Sequence, residues 1–448
     1  MHATIHPESN PSLFSPAWRN LSIGATGLCS MMAFEAIGVA AGMPAVATAL
    51  DGMALYALAF ASTLAGSVVA MVWSGNDCDR HGPFRSMAGG MLLFGIGLLL
   101  SGLAGSMPML IMGRIIQGFG IGALGVALYV ATARAIPPAL LPRLFALFSS
   151  AWVVPAVIGP AISGYIVEGL GWRWLFLGIF LLLLPTAALV LPPLHRDREP
   201  SASASQLPRA LPWALLAAAG SVGLSLSGTA GHWAPLLVVI ALGVLAHAAH
   251  RLLPMGTLRL ARGLPTVIAL RGINSSAFFL CEAFIPLWLH VERGWSITAA
   301  GLALTSGALS WSVGSHLQSR ITDEGHRRVW LERGCLALWI GVVTSGLTVL
   351  KFWPDWMLLV GWSISGLGVG LSLPMLGVLT LKLAPRDQQG TYSSALQLCA
   401  ALCTGAALAA GGLGFSLLHS KTPLLAYASV FILATGLATL SVVSAPRT

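Results

Sequence analysis

Charged residues are the scarcest feature of this sequence. They make up 9% of its 448 residues, whereas 56% are hydrophobic. An ordinary soluble domain carries about 25% charged residues. So few charges cannot solvate so much apolar surface in water, which excludes a soluble globular protein. The composition therefore predicts an all-α polytopic membrane protein, because a spanning helix satisfies all of its backbone hydrogen bonds internally.

Cysteines and clustered basic residues are also sparse. Most of the six cysteines lie inside apolar runs, where free cysteine behaves as a small hydrophobic residue. Cys399 and Cys403 have no His or carboxylate near them in sequence, so neither a metal site nor a disulfide framework is indicated. The net charge is +9, but the basic residues stand singly or in pairs at the ends of apolar runs. This distribution argues against nucleic-acid binding, which uses a basic stripe.

Long apolar runs fill most of the chain. A helix needs about 20 mostly apolar residues to cross a bilayer, and the sequence holds fourteen such runs in the order six, two, six. We therefore predict two six-helix bundles, at 20–194 and 265–443, with two extra transmembrane helices at 211–252. The runs are 20–46, 54–75, 86–105, 107–135, 143–168, 172–194, 211–230, 234–252, 266–290, 296–319, 329–350, 356–384, 391–418 and 422–443. The segments outside the three units are 1–19, 195–210, 253–264 and 444–448.

The distribution of positive charge predicts the orientation. With the N-terminus in the cytoplasm, 19 of the 24 Lys and Arg residues fall at cytoplasmic ends, 4 fall outside and Arg114 lies within a helix. This bias follows the positive-inside rule. We therefore expect a multi-pass protein of the bacterial plasma (inner) membrane with both tails, the 195–210 loop and the 253–264 linker in the cytoplasm. The polar, proline-broken stretch 1–19 lacks the features of a cleavable signal peptide, so the first helix should act as an uncleaved anchor.

An internal repeat relates the two predicted bundles. Four glycines keep one spacing in 113–122, within the fourth run, and in 361–370, within the twelfth. Small residues at such positions allow transmembrane helices to approach closely. Glu35 and Glu282 also occupy corresponding places in the first helix of each set. Two duplicated bundles with a pathway between them are a transporter architecture.

Three charged residues lie deep within the predicted spans, and they are Glu35, Arg114 and Glu282. A charge at the bilayer centre costs at least about 2.5–3.5 kcal/mol on insertion scales. Such residues usually mark ion or substrate pathways, so Glu35 and Arg114 are candidates for a proton-coupled pair. The alternative is a fixed ion pair that only holds helices together.

Glu282 shares a helix face with Asn274 and Phe278. One acid among aromatic and aliphatic side chains predicts a cavity wall that suits a lipophilic substrate, including a cationic one. Gln117, beside Arg114 on its helix face, is assigned to the same cavity. The alternative is a structural acid capped by Asn274 or by a backbone group.

The segment Gly75–Arg85, called here the latch segment, follows the second run. An Asp at a helix end caps backbone N–H groups and pairs with Arg, which suits a contact between two bundles. Glycine permits the tight turn. The alternative is a solvated turn. The residues assigned to a conformational latch are Gly75, Asp79, Arg80, Gly82 and Arg85.

These features together resemble the major facilitator superfamily. The latch segment matches the loop motif of that superfamily at its two glycines and at Asp79 and Arg80, with Pro83 and Phe84 in place of basic residues. The stretch from Gly113 to Gly118 resembles the fourth-helix motif, in which the Arg is implicated in proton coupling.

Two further stretches resemble motifs of one branch. The spacing from Glu35 to Pro44 is that of the first-helix motif of the fourteen-helix drug:proton antiporter branch, with Glu where Asp is commoner. In the fifth run, Pro155 and Ser163 stand where the antiporter-associated motif has glycines. The residues that match this fifth-helix motif are Gly159, Pro160 and Gly164.

The resemblance implies the major facilitator fold and a secondary active transporter. We expect a monomeric, proton-coupled exporter of hydrophobic or amphiphilic small molecules, with membrane lipids as its surroundings. Its energy would come from the proton motive force, without a cofactor. Two alternatives stay open, a transporter or symporter of a specific metabolite, lipid or siderophore, and a polytopic membrane transferase. A transferase needs a cluster of His and carboxylates with catalytic spacing, and the sequence shows none.

Overall fold

The chain folds into a series of long helices joined by short connections. The computed structural model describes residues 12–52, 55–195, 207–227, 230–295, 297–321, 324–419 and 422–448. Within these ranges every long element is helical. The helices are α1 (Arg19–Phe34), α2 (Ala40–Ala49), α3 (Tyr56–His81), α4 (Pro83–Gly102), α5 (Met107–Ala135), α6 (Leu141–Gly169), α7 (Trp174–His195), α8 (Leu207–Ser227), α9 (Ala234–Leu252), α10 (Leu264–Val291), α11 (Ile297–Ser319), α12 (Glu324–Val349), α13 (Trp356–Leu383), α14 (Gln389–His419) and α15 (Pro423–Ser444).

The first transmembrane segment, which comprises α1, a π-helical turn and α2, is called here the first rod. Helices α1 and α2 are continuous through the turn Glu35–Val39, and such turns are rare and often lie at functional sites. The turn packs tightly against α6, since a Cβ added to Gly38 would lie 2.8 Å from Ser163 Oγ and 3.0 Å from Phe34 Cζ. A glycine is therefore required where the widened turn meets α6.

Two hydrophobic cores define the two six-helix bundles. One core draws most of its residues from the part of the chain before α10 and extends to residues of α10, α13 and α14. The other core lies in α10–α15 and the short turn that follows. The repeated glycines allow close helix packing at corresponding places in each half. Gly118 of α5 packs on the backbone of Thr63 in α3, and Gly366 of α13 packs on the backbone of Gly307 in α11. This shared packing agrees with two similar bundles, and the bounds 20–194 and 265–443 stay a prediction.

The predicted count of fourteen spans is not confirmed. Among the described residues, twelve helices are long and apolar enough to cross a membrane. The two predicted runs at 296–319 and 329–350 form α11 and α12, with 23 and 26 residues, but neither is among the twelve. Their composition is the reason, because charged residues open α12 and hydroxyl side chains recur along α11. The charged residues in the first turns of α12 include Arg327, Arg328, Glu332 and Arg333.

Helices α8 and α9 form a hairpin beside both bundles. Each is a candidate span, and the two pack together where Gly220 faces Leu245. The hairpin contacts α3 of the N-terminal bundle and α14 of the C-terminal bundle. The two extra helices therefore lie across the junction between the bundles.

Candidate functional site

A buried ion pair joins Glu35 to Arg114 in the N-terminal bundle. The Arg114 Nη1 group donates a hydrogen bond to Glu35 Oε1. The two side chains are 3% and 5% exposed, so both charges are withdrawn from solvent. Arg114 also donates from Nη1 to Gln117 Oε1 at 3.1 Å and from Nε to the carbonyl of Ala59 at 3.3 Å. The site therefore joins the first rod, α3 and α5.

Local backbone features place these side chains. Glu35 is the first residue of the π turn, where the extra residue per turn changes the direction of the side chain. Gly113 and Gly118 flank Arg114 on α5, and Cβ atoms there would collide with Ser101 of α4 and Thr63 of α3. The glycines allow α5 to lie close to two helices, which encloses the guanidinium group.

Gln117 leaves a hydrogen-bond donor open beside the ion pair. The side chain is fully buried, and its carbonyl oxygen accepts from Arg114. Its Nε2 group has no hydrogen-bond partner among the described residues. An unsatisfied buried amide costs about 1–3 kcal/mol, so a polar group of a bound molecule or a rearranged Glu35 would find a donor here.

The C-terminal bundle has aromatic residues where the N-terminal bundle has the ion pair. Trp362 occupies the place of Arg114 in the repeated glycine pattern. It donates from Nε1 to the carbonyl of Leu304 at 3.1 Å, much as Arg114 donates to a carbonyl of α3. Its ring stacks on Phe278 at 4.4 Å between centroids. The two halves therefore share a scaffold but differ in chemistry.

Glu282 has no ionic partner in this arrangement. It lies one helical turn beyond Phe278 on α10 and is half-buried. In the part of the chain that the structure describes, no basic side chain approaches it within 4.0 Å. A cationic ligand would therefore not have to displace a residue of the protein to reach this carboxylate.

Asn274 and Phe278, two other residues assigned to the substrate cavity, lie inside the C-terminal bundle, whereas Gln117 lies beside Arg114 in the N-terminal bundle. Asn274 is fully buried, accepts from Ser441 Oγ at 2.5 Å and donates to Cys335 Sγ at 3.5 Å. It therefore joins α10 to α12 and α15 and does not contact Glu282. Phe278 is 2% exposed and packs edge-on against Trp311 at 5.4 Å as well as on Trp362.

Asp79 connects the two bundles directly. Its Oδ1 accepts from the backbone N–H of Gly390 at 2.6 Å. Its Oδ2 accepts from the backbone N–H and the hydroxyl of Thr391, at 2.8 and 2.6 Å. The carboxylate thus caps the start of α14, where the helix dipole also favours negative charge. Asp79 is 3% exposed, which shields these bonds from competing water.

The glycines of the latch segment serve the same contact. A Cβ on Gly75 would lie 2.6 Å from Ser394 Cβ, so glycine lets α3 and α14 approach. Gly82 has φ +78° and joins α3 to α4 in a single residue, a conformation that favours glycine. The arginines lie outside this contact. Arg80 is exposed, and Arg85 lies at 4.0 Å from Asp77 rather than beside Asp79.

The fifth-helix motif packs against the π turn. Gly159 of α6 faces Phe34 and Ile37, 3.8 and 3.9 Å from where its Cβ would be. Ser163 is fully buried beside Gly38, and its hydroxyl has no partner among the described residues. Gly164 has nothing within 4 Å of an added Cβ, and Pro160 lies in α6 between these positions.

Several residues of the inter-bundle contact had no sequence signal. Gly390 and Thr391 bind Asp79 mainly through backbone N–H groups, which every residue type except proline offers. Ser150 of α6 lies 3.1 Å from Ser312 of α11, in a chain rich in serine. Asp77 had a weak sequence signal, because it is an acidic residue of the latch segment two positions before Asp79. It accepts from Ser86 at 2.9 Å and contacts His81 at 2.9 Å within its own bundle.

The contacts between bundles lie toward one end of the molecule. Arg134, at the end of α5, donates to the carbonyl of Cys78 at 3.2 Å, so α5 and α3 end together near Asp79. Gly377 of α13 lies against Tyr129 near that end of α5. We call this the Asp79 end. The two bundles are joined there through α3, α5 and α6 on one side and α11, α13 and α14 on the other.

Known structures with this fold are transport proteins. A bacterial homologue of the iron transporter ferroportin, in an outward-facing state, has a TM-score of 0.68 and 15% identity, with 96% of this chain and 98% of that chain covered. The proton:xylose symporter XylE, bound to 6-bromo-6-deoxy-D-glucose, has a TM-score of 0.66 and 15% identity, with 94% of each chain covered. At these identities the likeness concerns the fold alone.

Relatives of known sequence include named efflux proteins. An uncharacterized MFS-type transporter of Mycobacterium tuberculosis is 25% identical over 406 residues, which are 85% of this chain and 57% of that protein. The chain therefore spans less than two thirds of that relative. Multidrug resistance protein 3 of Bacillus subtilis is 25% identical over 81% of this chain and 73% of that protein. Multidrug efflux pump SdrM of Staphylococcus aureus is 26% identical over 67% and 68%.

The family profile decides the assignment. The profile described as Major Facilitator Superfamily matches residues 23–407, which is most of the chain. This confirms the resemblance carried by the latch segment and by the fourth-helix motif. Members of this family are transporters rather than enzymes, and they generally use no cofactor. The protein, a multi-pass membrane protein, belongs to the Major Facilitator Superfamily.

Proposed function

We propose that this protein is a proton-coupled exporter of hydrophobic or amphiphilic small molecules. The observation that carries the proposal is the buried Glu35–Arg114 pair at the π turn. A carboxylate inside a membrane protein is costly, and the charge of Arg114 offsets that cost while Glu35 is ionised. The proposed cycle uses two states of this pair. In one state Glu35 is ionised and paired, and in the other it holds a proton.

Protonation would change the balance of forces at this site. A proton on Glu35 removes the counter-charge of Arg114, which keeps its bonds to Ala59 and Gln117. A buried cation without a counter-ion is strongly destabilised. Protonation therefore favours a rearrangement of the first rod against α5 that opens the pair to water, where the proton or the substrate exchanges.

Alternating access would couple this step to export. The bundles 20–194 and 265–443 rock about the junction, and the Asp79 contact holds one end closed. We place that end in the cytoplasm, in the plasma membrane of a bacterium, because the basic residues concentrate there. Glu35 takes up a proton from outside and releases it inside, and the inward flow of protons drives the substrate outward.

Glu282 and its surroundings support a lipophilic substrate that includes cations. Its carboxylate is half-buried and has no ionic partner among the residues that the structure describes. Phe279 precedes it by three residues on α10, and the ring of Phe279 lies 6.3 Å from that of Trp311. Aromatic faces attract cations, and a desolvated carboxylate adds a full charge. The name of a multidrug efflux pump among the relatives agrees with such a substrate.

Proton flux in proteoliposomes tests the proposal. With an imposed pH gradient, addition of a lipophilic dye should dissipate the gradient, and Glu35→Gln should reduce this flux at least tenfold. The matched control is Glu168→Gln, the same substitution at an exposed acid near the end of α6, which should keep the flux of the unaltered protein. Substrate movement that continues unchanged in Glu35→Gln would refute proton coupling at this site. Movement of protons and substrate in one direction would instead establish a symporter.

A further inference from the structure

The connection from α9 to α10 presents exposed apolar side chains among arginines. Residues 253–263 are called here the linker surface. Met255 is 98% exposed and Leu258 is 56% exposed. Arg259 and Arg262 are exposed beside them. Exposed apolar side chains grouped with basic ones usually mark a contact with a partner or a membrane.

The linker surface has a defined conformation. It contains a short 3₁₀ turn, Thr257–Arg259, in which Thr257 is 1% exposed. Gly256, Leu260 and Gly263 all have positive φ, at 90°, 53° and 86°. A positive φ at Leu260 is unusual for a residue with a branched side chain, so the surrounding contacts must hold the turn.

Hydrogen bonds on both sides supply those contacts. The N–H of Ala261 donates to the carbonyl of Gly256 at 3.0 Å, and the N–H of Gly263 donates to the carbonyl of Arg447 at 2.7 Å. Thr266 Oγ1 donates to the carbonyl of Ala261 at 2.6 Å. The apolar and basic side chains are therefore displayed from a fixed backbone.

The chain offers no nearby anion to these arginines. No Asp or Glu occurs in positions 201–281, whereas five arginines do. In the described part of the chain, neither Arg259 nor Arg262 forms an ion pair within 4.0 Å. An anion from another molecule would therefore complement these two exposed guanidinium groups.

The linker surface lies where lipid headgroups would be. Helices α9 and α10, which it joins, are both candidate membrane spans. Helices α10 and α14 run parallel, because Gly272 faces Cys399 while Leu280 faces Gly411. The start of α10 is therefore at the Asp79 end, with the start of α14. Arg251 stacks on the Trp213 ring at 5.3 Å where the α8–α9 hairpin reaches this end, as is typical of a membrane interface.

We propose that the linker surface docks on anionic phospholipid. The guanidinium groups of Arg259 and Arg262 bind the phosphate of the headgroup, since arginine binds phosphate through paired N–H groups. Met255 and Leu258 enter the upper part of the acyl region beside that headgroup. The backbone turn holds both kinds of side chain on one surface. This inference does not depend on the substrate or on proton coupling.

Lipid binding to the purified full chain tests the docking surface. The probes are short-chain phosphatidylglycerol, short-chain phosphatidylcholine and glycerol 1-phosphate, added to protein in a neutral detergent, with the dissociation constant measured by thermophoresis. We expect phosphatidylglycerol to bind most tightly. Each basic residue contributes about fivefold to such binding, so Arg259→Gln with Arg262→Gln should weaken phosphatidylglycerol about 25-fold and leave phosphatidylcholine unchanged.

Two further variants make the result specific. Met255→Ser with Leu258→Ser should weaken both lipids by similar factors, because the acyl chains are shared. The matched control, Arg320→Gln with Arg386→Gln, removes two exposed arginines elsewhere and should change neither affinity. Circular dichroism and gel filtration verify that every variant is folded. Equal affinity for the two lipids, an equal loss in the control pair, or binding of glycerol 1-phosphate as tight as that of the lipid would each overturn the proposal.

Discussion

At the scale of single residues, the Glu35–Arg114 pair makes a clear prediction about stability. Arg114→Gln leaves the Glu35 carboxylate buried without a counter-charge, and breaking such a pair costs about 3–5 kcal/mol. Adding Glu35→Gln to this variant removes the remaining charge and should restore most of the loss. A double-mutant cycle of thermal unfolding in detergent measures the coupling. Strictly additive losses would show that the two side chains do not act as a pair.

Glu282 makes a second prediction at this scale, about substrate choice. Because no basic residue of the described chain neutralises it, Glu282→Gln removes the negative charge without releasing a protein cation. Transport of lipophilic cations should fall about tenfold, as expected for the loss of about 1.4 kcal/mol of attraction. Transport of neutral compounds of the same size should be unchanged. Equal losses for both classes would indicate a structural role.

Sequence reasoning at the residue scale found three charges within the spans but not all of their partners. The cost of a charge in lipid identified Glu35, Arg114 and Glu282. Helix periodicity placed Asn274 on the face of Glu282, yet Asn274 binds Ser441. Periodicity states which residues point the same way along one helix. It does not state which neighbouring helix they meet.

At the scale of the element, the π turn depends on its fit to α6. Gly38→Ala brings a Cβ to 2.8 Å from Ser163 Oγ and 3.0 Å from Phe34, so we expect a loss of about 1–3 kcal/mol, typical of overpacking. Adding Ser163→Gly removes the hydroxyl that the new Cβ meets and should restore part of the lost stability. Gly164→Ala is the control, because nothing lies within 4 Å of its new Cβ. Thermal unfolding of the four proteins measures the effect, and Gly38→Ala as stable as Gly164→Ala would contradict this packing.

The positions of the helices were easier to predict than the π turn or the number of candidate spans. Runs of apolar residues located the long helices, since lipid-facing and core-facing positions are both apolar. The π turn had no such signal, because the sequence of Glu35–Val39 is compatible with an ordinary α-helix. The predicted count of fourteen spans was not confirmed, because α11 and α12 are too polar to be among the candidate spans. In α11 such polar side chains include Ser315 and Gln318, and both are fully buried.

At the scale of the whole molecule, the sequence indicated that the latch segment contacts the other bundle but not which helix it meets. The repeat of glycines predicted two similar halves. It could not predict that Asp79 binds α14, because its partners at Gly390 and Thr391 are mainly backbone N–H groups. Such groups occur at every helix start. Only the packing of α3 against α14, through Gly75 and Gly390, brings one of them to the carboxylate.

The bonds of Asp79 predict how the closed Asp79 end responds to mutation. Hydrogen bonds to a charged group contribute about 1.5–3 kcal/mol each. Asp79→Asn keeps the size of the side chain but loses the charge and one acceptor, so the population open at this end should rise at least tenfold. Ser150→Cys, beside Ser312 at the junction, reports opening through its rate of modification by a membrane-impermeant thiol reagent. Asp77→Asn is the control, because the partners of Asp77 lie within its own bundle. The rate should rise in Asp79→Asn alone, and an equal rise in both variants would mean that the end of α3 had loosened without release of the bundles.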